Sequence, residues 1–171
     1  FIGAGRVFDH YLKILKKINK KQFEIISVCD LDSKNRLKIS KKIKFYNNFD
    51  HMIKIEKIDL LIVLTPSGLH YDHVSKGLKN NINVLVEKPI TLKINEAKKL
   101  INLSKKNKLY FGVMFQNRYN KSIQFLKKAI DQNKLKKIIC SNVNLIWSRY
   151  QSYYQDDWHG KWKMDGGVLS Q

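Results

Sequence analysis

The chain has few residues of several types, and each shortage narrows what the protein can be. Its 171 residues include only two cysteines, Cys29 and Cys140, which lie far apart in apolar runs without metal-ligand spacing. We therefore expect two buried, reduced thiols, no disulfide and no metal site. The apolar runs are short, and none approaches the roughly 20 residues that a membrane span needs. These shortages favour a cytoplasmic protein that does not enter a membrane.

Acidic residues are also scarce, with 14 Asp and Glu against 33 Lys and Arg, which gives a net charge of +19. Such a charge raises the possibility of a nucleic-acid-binding protein. However, the excess is almost all lysine on helix faces, accompanied by many Asn and Ile residues, as an A- and T-rich genome would produce. Arginine, which nucleic-acid binders favour for bidentate contacts, is rare. We expect non-specific attraction of polyanions and no specific nucleic-acid partner.

Short apolar runs alternate with amphipathic segments up to about residue 115. Helices are predicted at 7–18, 50–55 and 71–78, and two more are predicted with Ser33 and Thr91 as their caps. Strand–helix alternation requires parallel strands joined by helical crossovers. The predicted fold class is therefore α/β with a Rossmann-type parallel sheet, over residues 1–116.

The pattern changes after Phe115. A helix is predicted at 122–130, a long strand at 138–147, and the rest is aromatic and polar. One helix and one strand cannot bury a core of their own. We therefore expect residues 117–171 to be the beginning of a truncated α+β domain for substrate binding or oligomerisation. Because the chain opens inside an incomplete first strand, we also expect it to be a fragment cut at both ends.

The opening turn, Gly3-Ala4-Gly5-Arg6, joins a strand to a helix and matches two glycines of the dinucleotide-binding fingerprint. Asp30 ends the next apolar run, 27 positions after Gly3, near the usual interval of about 20. Glycines allow a pyrophosphate to approach the helix N-terminus, and the carboxylate would bind the adenosine ribose and repel a 2′-phosphate. The pattern predicts an NAD site. The alternative is an ordinary strand–turn–helix with an exposed Asp.

A third apolar run ends at Thr65, Pro66 and Ser67 and leads to His70. The carboxyl ends of parallel strands converge, so these residues are expected near the glycine turn. The two hydroxyls could bind a ligand that lies across the strand ends. His70 could equally be a plain residue at the start of a helix.

A fourth run ends at Glu87, Lys88 and Pro89. Proline restricts the preceding residue to extended backbone, which aims the lysine amine in one direction. Beside a positively charged nicotinamide, that amine could exchange a proton with a substrate hydroxyl. The alternative is a surface ion pair at a strand end.

Together these motifs resemble the Gfo/Idh/MocA family of nicotinamide-dependent oxidoreductases, which has an N-terminal Rossmann domain and a C-terminal domain with an open sheet. The resemblance implies that Lys88 is the catalytic lysine and that NAD is the cofactor. The cofactor-binding residues that it implies are Gly3, Gly5, Arg6, Asp30, Thr65, Pro66, Ser67, His70, Glu87, Lys88, Gln116 and Arg118.

The last third is similar to the UDP-N-acetylglucosaminuronate 3-dehydrogenases in four stretches, at 142–149, 151–154, 158–162 and 165–167. This similarity implies NAD-dependent oxidation of the C3 hydroxyl of a small nucleotide-sugar substrate, in lipopolysaccharide or O-antigen biosynthesis, by a homo-oligomer. A catalytic His of the same motif is expected just past residue 171. The substrate-binding residues implied are Lys88, Asn117, Arg149, Tyr154, Trp158, Ser170 and Gln171.

Three alternatives remain open from the sequence. The protein could act on another sugar or a polyol, or it could be a non-catalytic NAD-dependent sensor. The aromatic residues of the last third could pack a sheet of the second domain instead of stacking on uracil or a sugar.

Overall fold

A computed structural model describes residues 1–18 and 22–167, which form two compact units. The first unit comprises Phe1–Met114 and the described residues from Gly160 onward, and the second comprises Phe115–His159. The boundary between the two units after Met114 lies close to the domain boundary predicted between residues 116 and 117. The assignment of 117–171 to a substrate or oligomerisation domain stays a prediction.

A parallel sheet organises the first unit. The strands are β1 Ser27–Cys29, β2 Lys44–Tyr46, β3 Leu60–Val63, β4 Asn83–Glu87 and β5 Phe111–Met114. Strands β3, β4 and β5 pair side by side, as do β1 and β2, and Ile2 makes parallel bridges to Cys29 of β1 and Val63 of β3. If the segment around Ile2 is counted as strand 1 and β1 to β5 as strands 2 to 6, the strands lie side by side in the order 3-2-1-4-5-6. This is the Rossmann order. The predicted fold class is confirmed.

In the described part of the first unit, four α-helices connect these strands, with two short 3₁₀ helices at Ser33–Lys38 and Ser67–Leu69. The α-helices are α1 Arg6–Leu15, α2 Phe49–Ile55, α3 His70–Lys79 and α4 Ile94–Lys106. None of the helices in the described ranges is both long and apolar enough to cross a bilayer.

The core has two parts because successive strand residues point to opposite faces of the sheet. Val63 and Val86 belong to one cluster, together with Val74 and Leu78 of α3 and Leu100 of α4. The other cluster is built around α1. Its members are Ala4, Phe8, Tyr11, Val28, Ile39 and Leu64. Full burial of each such aliphatic or aromatic side chain contributes about 1.5–3 kcal/mol. This packing holds α1 against the strand ends.

Two predicted helix caps are wrong. The backbone N–H of Lys34 donates to the carboxylate of Asp32, so Asp32 caps the 3₁₀ helix in place of Ser33. The cap residue of α4 is Lys93, and the Thr91 hydroxyl donates to the Lys93 carbonyl. In both cases the cap residue lies one or two positions from the predicted one. The sequence alone does not show which of several neighbouring polar residues caps the helix.

The predicted strand at 138–147 does not form, since residues 138–150 have neither helix nor strand. Its apolar side chains are exposed, including Ile146 at 95% and Ile139 at 91%. A strand needs a neighbour to pair its backbone groups, and no described residue pairs with this segment. Cys140 is consequently exposed, which corrects the expectation of two buried thiols, whereas Cys29 is buried.

In the second unit, a 3₁₀ helix at Gln116–Tyr119 precedes α5, Lys121–Asp131, which matches the helix predicted at 122–130. A further 3₁₀ helix covers Gln151–Tyr154.

Candidate active site

The glycine turn follows Ile2 at the centre of the sheet. Gly3 has a φ of +90°, and a Cβ there would lie 2.8 Å from the carbonyl carbon and oxygen of Leu64. Only glycine fits this close approach without strain. Gly5 differs, because it caps α1 with a φ of −75° and, beyond its two chain neighbours, no atom of the described residues lies within 4 Å of its hypothetical Cβ. The turn therefore leaves open space in front of α1, whose first residue is Arg6.

Asp30 is held against this turn. Its carboxylate accepts the Ala4 N–H at 2.6 Å through one oxygen and the Asp32 N–H at 2.8 Å through the other. Hydrogen bonds to a charged group each contribute about 1.5–3 kcal/mol. The ammonium of Lys38 lies 3.4 Å from the Ala4 carbonyl oxygen. The two hydrogen bonds from Ala4 and Asp32 orient the carboxylate at the edge of the glycine turn.

His70 connects the loop after β3 to the segment after β4. Its Nδ1 lies 2.7 Å from the Pro89 carbonyl oxygen and its Nε2 lies 2.8 Å from the Thr65 carbonyl oxygen. The side chain is only 1% exposed, and this burial lowers the pKa of the imidazole, while the two carbonyls oppose that shift. The ring thus lies between two loops, and in its neutral form it donates to one of these two carbonyls at a time.

The rest of this loop is also packed. Ser67 is buried, and the Gly68 N–H donates to the Met164 carbonyl at 2.9 Å. A Cβ on Gly68 would lie 2.2 Å from the Lys163 carbonyl oxygen. The segment at 160–167 therefore packs directly on the loop that carries Pro66.

The Glu87–Lys88 segment lies at the carboxyl end of β4. One carboxylate oxygen of Glu87 accepts the Tyr11 hydroxyl at 2.9 Å, and the other accepts the Lys88 N–H at 3.2 Å. Tyr11 is on α1, the helix that begins at the glycine turn. The lysine segment and the glycine turn are thus connected through one helix.

Direct contacts connect several of the predicted residues of the first unit to one another or to the glycine turn. Asp30 contacts the glycine turn, Gly3 abuts Leu64 and Thr65, and His70 joins Thr65 to Pro89. Of the other predicted residues, three lie in the 3₁₀ helix at Gln116–Tyr119 of the second unit, namely Gln116, Asn117 and Arg118. Ser170 and Gln171 lie outside the described residues.

Three predicted substrate-binding residues belong to an aromatic cluster of the second unit. The Arg149 guanidinium lies 5.2 Å from the Tyr153 ring centre, and the Tyr154 ring lies 5.1 Å from the same ring. Trp158 stacks on His159 at 3.6 Å, and His159, itself buried, hydrogen-bonds to Asp156. The structure brings Arg149, Tyr154 and Trp158 together, and their substrate-binding role stays a prediction.

Sequence reasoning missed four residues that support the site. Tyr11 lies within the helix predicted at 7–18, and the periodicity that predicts the helix does not show what the tyrosine hydroxyl contacts. The Ala4 N–H and the Lys38 ammonium contact partners distant in sequence, which no local pattern reveals. His73 contacts the Thr65 hydroxyl through Nδ1 at 2.9 Å, and its position one helical turn after His70 is the signal that could have identified it.

We expect His73 to make stability depend on pH. Burial, with a smaller contribution from His70, lowers the pKa of His73 from 6.5 to about 4. Between these values the unfolded chain binds a proton that the folded chain does not, so stability falls as pH falls. From pH 7 to pH 5 the loss from this group is about 2 kcal/mol. Urea unfolding of the wild type and of His73→Asn at both pH values measures it. An equal pH dependence in the two proteins would contradict the assignment.

The model of the Gfo/Idh/MocA oxidoreductase family, described as having an NAD-binding Rossmann fold, matches residues 1–115. The chain belongs to this family. Its Rossmann domain is an NAD-binding domain, as the glycine turn and Asp30 predicted.

Known proteins that are similar to this chain match different shares of it. The oxidoreductase YteT of Bacillus subtilis is 27% identical over 92% of this chain, which spans 37% of YteT. The WlbA dehydrogenase of Chromobacterium violaceum, solved with NADH and UDP-GlcNAcA, is 29% identical with a TM-score of 0.94 over 99% of this chain and 50% of its own. The myo-inositol 2-dehydrogenase of Lactobacillus plantarum is 27% identical with a TM-score of 0.71 over 81% of this chain and 42% of its own. The chain thus spans half or less of the length of these relatives.

Proposed function

We propose that the whole protein oxidises a hydroxyl of a nucleotide-activated sugar with NAD, at C3 of UDP-N-acetylglucosaminuronate. The observation that carries this proposal is the extent of the likeness to WlbA. That likeness covers 99% of the chain, including the second unit, whereas the inositol dehydrogenase covers 81% with a lower TM-score. The WlbA structure holds NADH and UDP-GlcNAcA.

The residues at the strand ends fit NAD. The open space at Gly5 and the positive φ of Gly3 leave room for a pyrophosphate at the start of α1. The oriented carboxylate of Asp30 would accept hydrogen bonds from the adenosine ribose and repel a 2′-phosphate, which favours NAD over NADP. We place Arg6 near the pyrophosphate. Gln116 and Arg118 would lie on the nicotinamide-ribose side.

Bound NAD supplies a hydride acceptor at its nicotinamide. The task of the protein is then to orient the sugar and to remove the proton of its hydroxyl. Lys88 lies at the carboxyl end of β4, and its backbone is held by the carboxylate of Glu87. We assign proton transfer to the Lys88 amine. Asn117, Arg149, Tyr154 and Trp158 would bind the nucleotide sugar.

A substrate panel tests the proposal. The whole protein is incubated with NAD and one candidate substrate in each of four separate reactions. The candidate substrates are UDP-N-acetylglucosaminuronate, UDP-N-acetylglucosamine, UDP-glucuronate and myo-inositol. We expect NADH formation with the first compound and a C3 ketone product by NMR. Faster oxidation of myo-inositol would contradict the nucleotide-sugar assignment. Stabilisation by NAD without turnover of any compound would favour a sensor.

The same protein preparation tests the cofactor preference by thermal shift. Stabilisation by a ligand reaches about 2.7 kcal/mol at a hundredfold excess over its dissociation constant. We expect NAD to raise the melting temperature more than equal concentrations of NADP. Because Asp30 carries this preference, Asp30→Ser should narrow the difference. An equal shift with both dinucleotides in the wild type would contradict the role of Asp30.

A further inference from the structure

The contact between Tyr11 and Glu87 joins two parts of the chain that are 76 residues apart. Tyr11 lies on the buried face of α1 and is 9% exposed. Its hydroxyl donates to Glu87 Oε1 at 2.9 Å, while Glu87 Oε2 accepts the backbone N–H of Lys88 at 3.2 Å. The carboxylate is therefore held between a helix on one side and the lysine backbone on the other.

The hydroxyl keeps its proton under ordinary conditions. Burial raises the pKa of Tyr11 above its usual value, and the neighbouring negative charge of Glu87 raises it further. A protonated phenol beside a carboxylate is a charge-assisted donor, which is stronger than a bond between neutral groups. Glu87 Oε1 thus has a stable partner whose direction is set by the packing of α1.

That packing gives the bond its geometric consequence. α1 starts directly after Gly5, so the helix that would hold the pyrophosphate also carries the tyrosine that holds Glu87. Glu87 in turn is the last residue of β4 and precedes Lys88. Displacement of a reacting group by about 1 Å can cost up to about 10²-fold in rate. Rotation of the Glu87 carboxylate would break its hydrogen bond to the backbone N–H of Lys88.

We propose that Tyr11 is a positioning residue for Lys88 and acts through the Glu87 carboxylate. This inference rests on the proposed function for its kinetic consequence. Removal of the hydroxyl leaves Glu87 Oε1 without its donor, which frees the carboxylate and loosens the backbone that it holds. The proton-transfer step depends on the position of the lysine amine, whereas dinucleotide binding depends on the glycine turn and Asp30. The loss should therefore fall on kcat rather than on KM.

The test compares Tyr11→Phe with Tyr46→Phe in the whole protein. Tyr46 is a matched control because its hydroxyl also donates to a glutamate, Glu56, which lies outside the proposed site. We expect Tyr11→Phe to lower kcat about tenfold with both KM values changed less than about twofold. Tyr46→Phe should leave kcat unchanged. Equal kcat values in the two variants would overturn the proposal.

A double-mutant cycle tests whether Tyr11 acts through Glu87. Tyr11→Phe, Glu87→Ala and the double variant are compared in kcat, because alanine removes the acceptor that a glutamine amide would keep. We expect Tyr11→Phe to cause little further loss once Glu87 has been replaced, because coupled residues are not additive. Losses that multiply would mean independent roles and would overturn the proposal.

A measurement without turnover separates this inference from the proposed function. Hydrogen exchange of the Lys88 backbone amide reports directly on its bond to Glu87. We expect exchange at this amide at least about tenfold faster in Tyr11→Phe than in Tyr46→Phe, since local opening sets the exchange rate. Unchanged exchange would overturn the positioning role. If no substrate were turned over but exchange rose as expected, the proposed function alone would fail.

Discussion

Lys88→Ala in the whole protein is expected to lower turnover by at least about 10²-fold, the low end for loss of an acid–base group. NAD should still raise the melting temperature of the variant. The expectation follows from the position of Lys88, which comes directly after β4 at the carboxyl edge of the sheet. The glycine turn and Asp30, which we assign to the dinucleotide, do not depend on its amine.

Lys79→Ala is the control for this experiment. Lys79 is an exposed lysine at the end of α3, opposite the end of the helix that carries His70. Its replacement removes one positive charge, as Lys88→Ala does, but at a position away from the site. The control should keep wild-type turnover. Near-normal activity of Lys88→Ala would remove this residue from the mechanism. Loss of NAD-dependent stabilisation would instead show that the change disturbs the dinucleotide site.

Gly3→Ala is expected to destabilise the protein by about 2–6 kcal/mol. A non-glycine residue at positive φ costs about 1–3 kcal/mol. In addition, the new Cβ would lie 2.8 Å from the Leu64 carbonyl group, and relief of such a contact requires backbone shifts that cost about 1–3 kcal/mol. The backbone between β1 and β3 would have to move, because Ile2 bridges both strands. Urea unfolding measures the loss.

Gly5→Ala should behave differently, although it adds the same methyl group two residues later. The φ of Gly5 is −75° and its hypothetical Cβ meets open space, so we expect a change in stability below about 1 kcal/mol. The methyl group would occupy the space that we assign to the pyrophosphate, and NAD affinity should fall. An equal loss of stability in the two variants would contradict the structural distinction. Unchanged NAD affinity in Gly5→Ala would place the pyrophosphate elsewhere.

Some predictions succeeded because burial leaves a trace in the sequence. The helix at 70–79 was recognisable because its buried residues recur at helical spacing, and the strand at 60–63 because it is a short continuous run of apolar residues. The segment at 138–147 has the same kind of trace and yet forms no strand. A strand requires a partner outside itself, and apolar side chains alone do not supply the backbone bonds. The sequence shows a tendency in that segment, and only pairing can turn it into structure.

By itself, the sequence determined the parallel sheet, its helical crossovers and the set of residues at the strand ends, including Gly3, Asp30 and Lys88. These features follow from local patterns of apolar and turn-forming residues. Only the tertiary structure decided that Tyr11 donates to Glu87, that the Asp30 carboxylate accepts the Ala4 N–H, and that His70 lies between two carbonyl groups. Such polar contacts join residues that are distant along the chain. Their geometry depends on how the helices pack against the sheet, which no local pattern records.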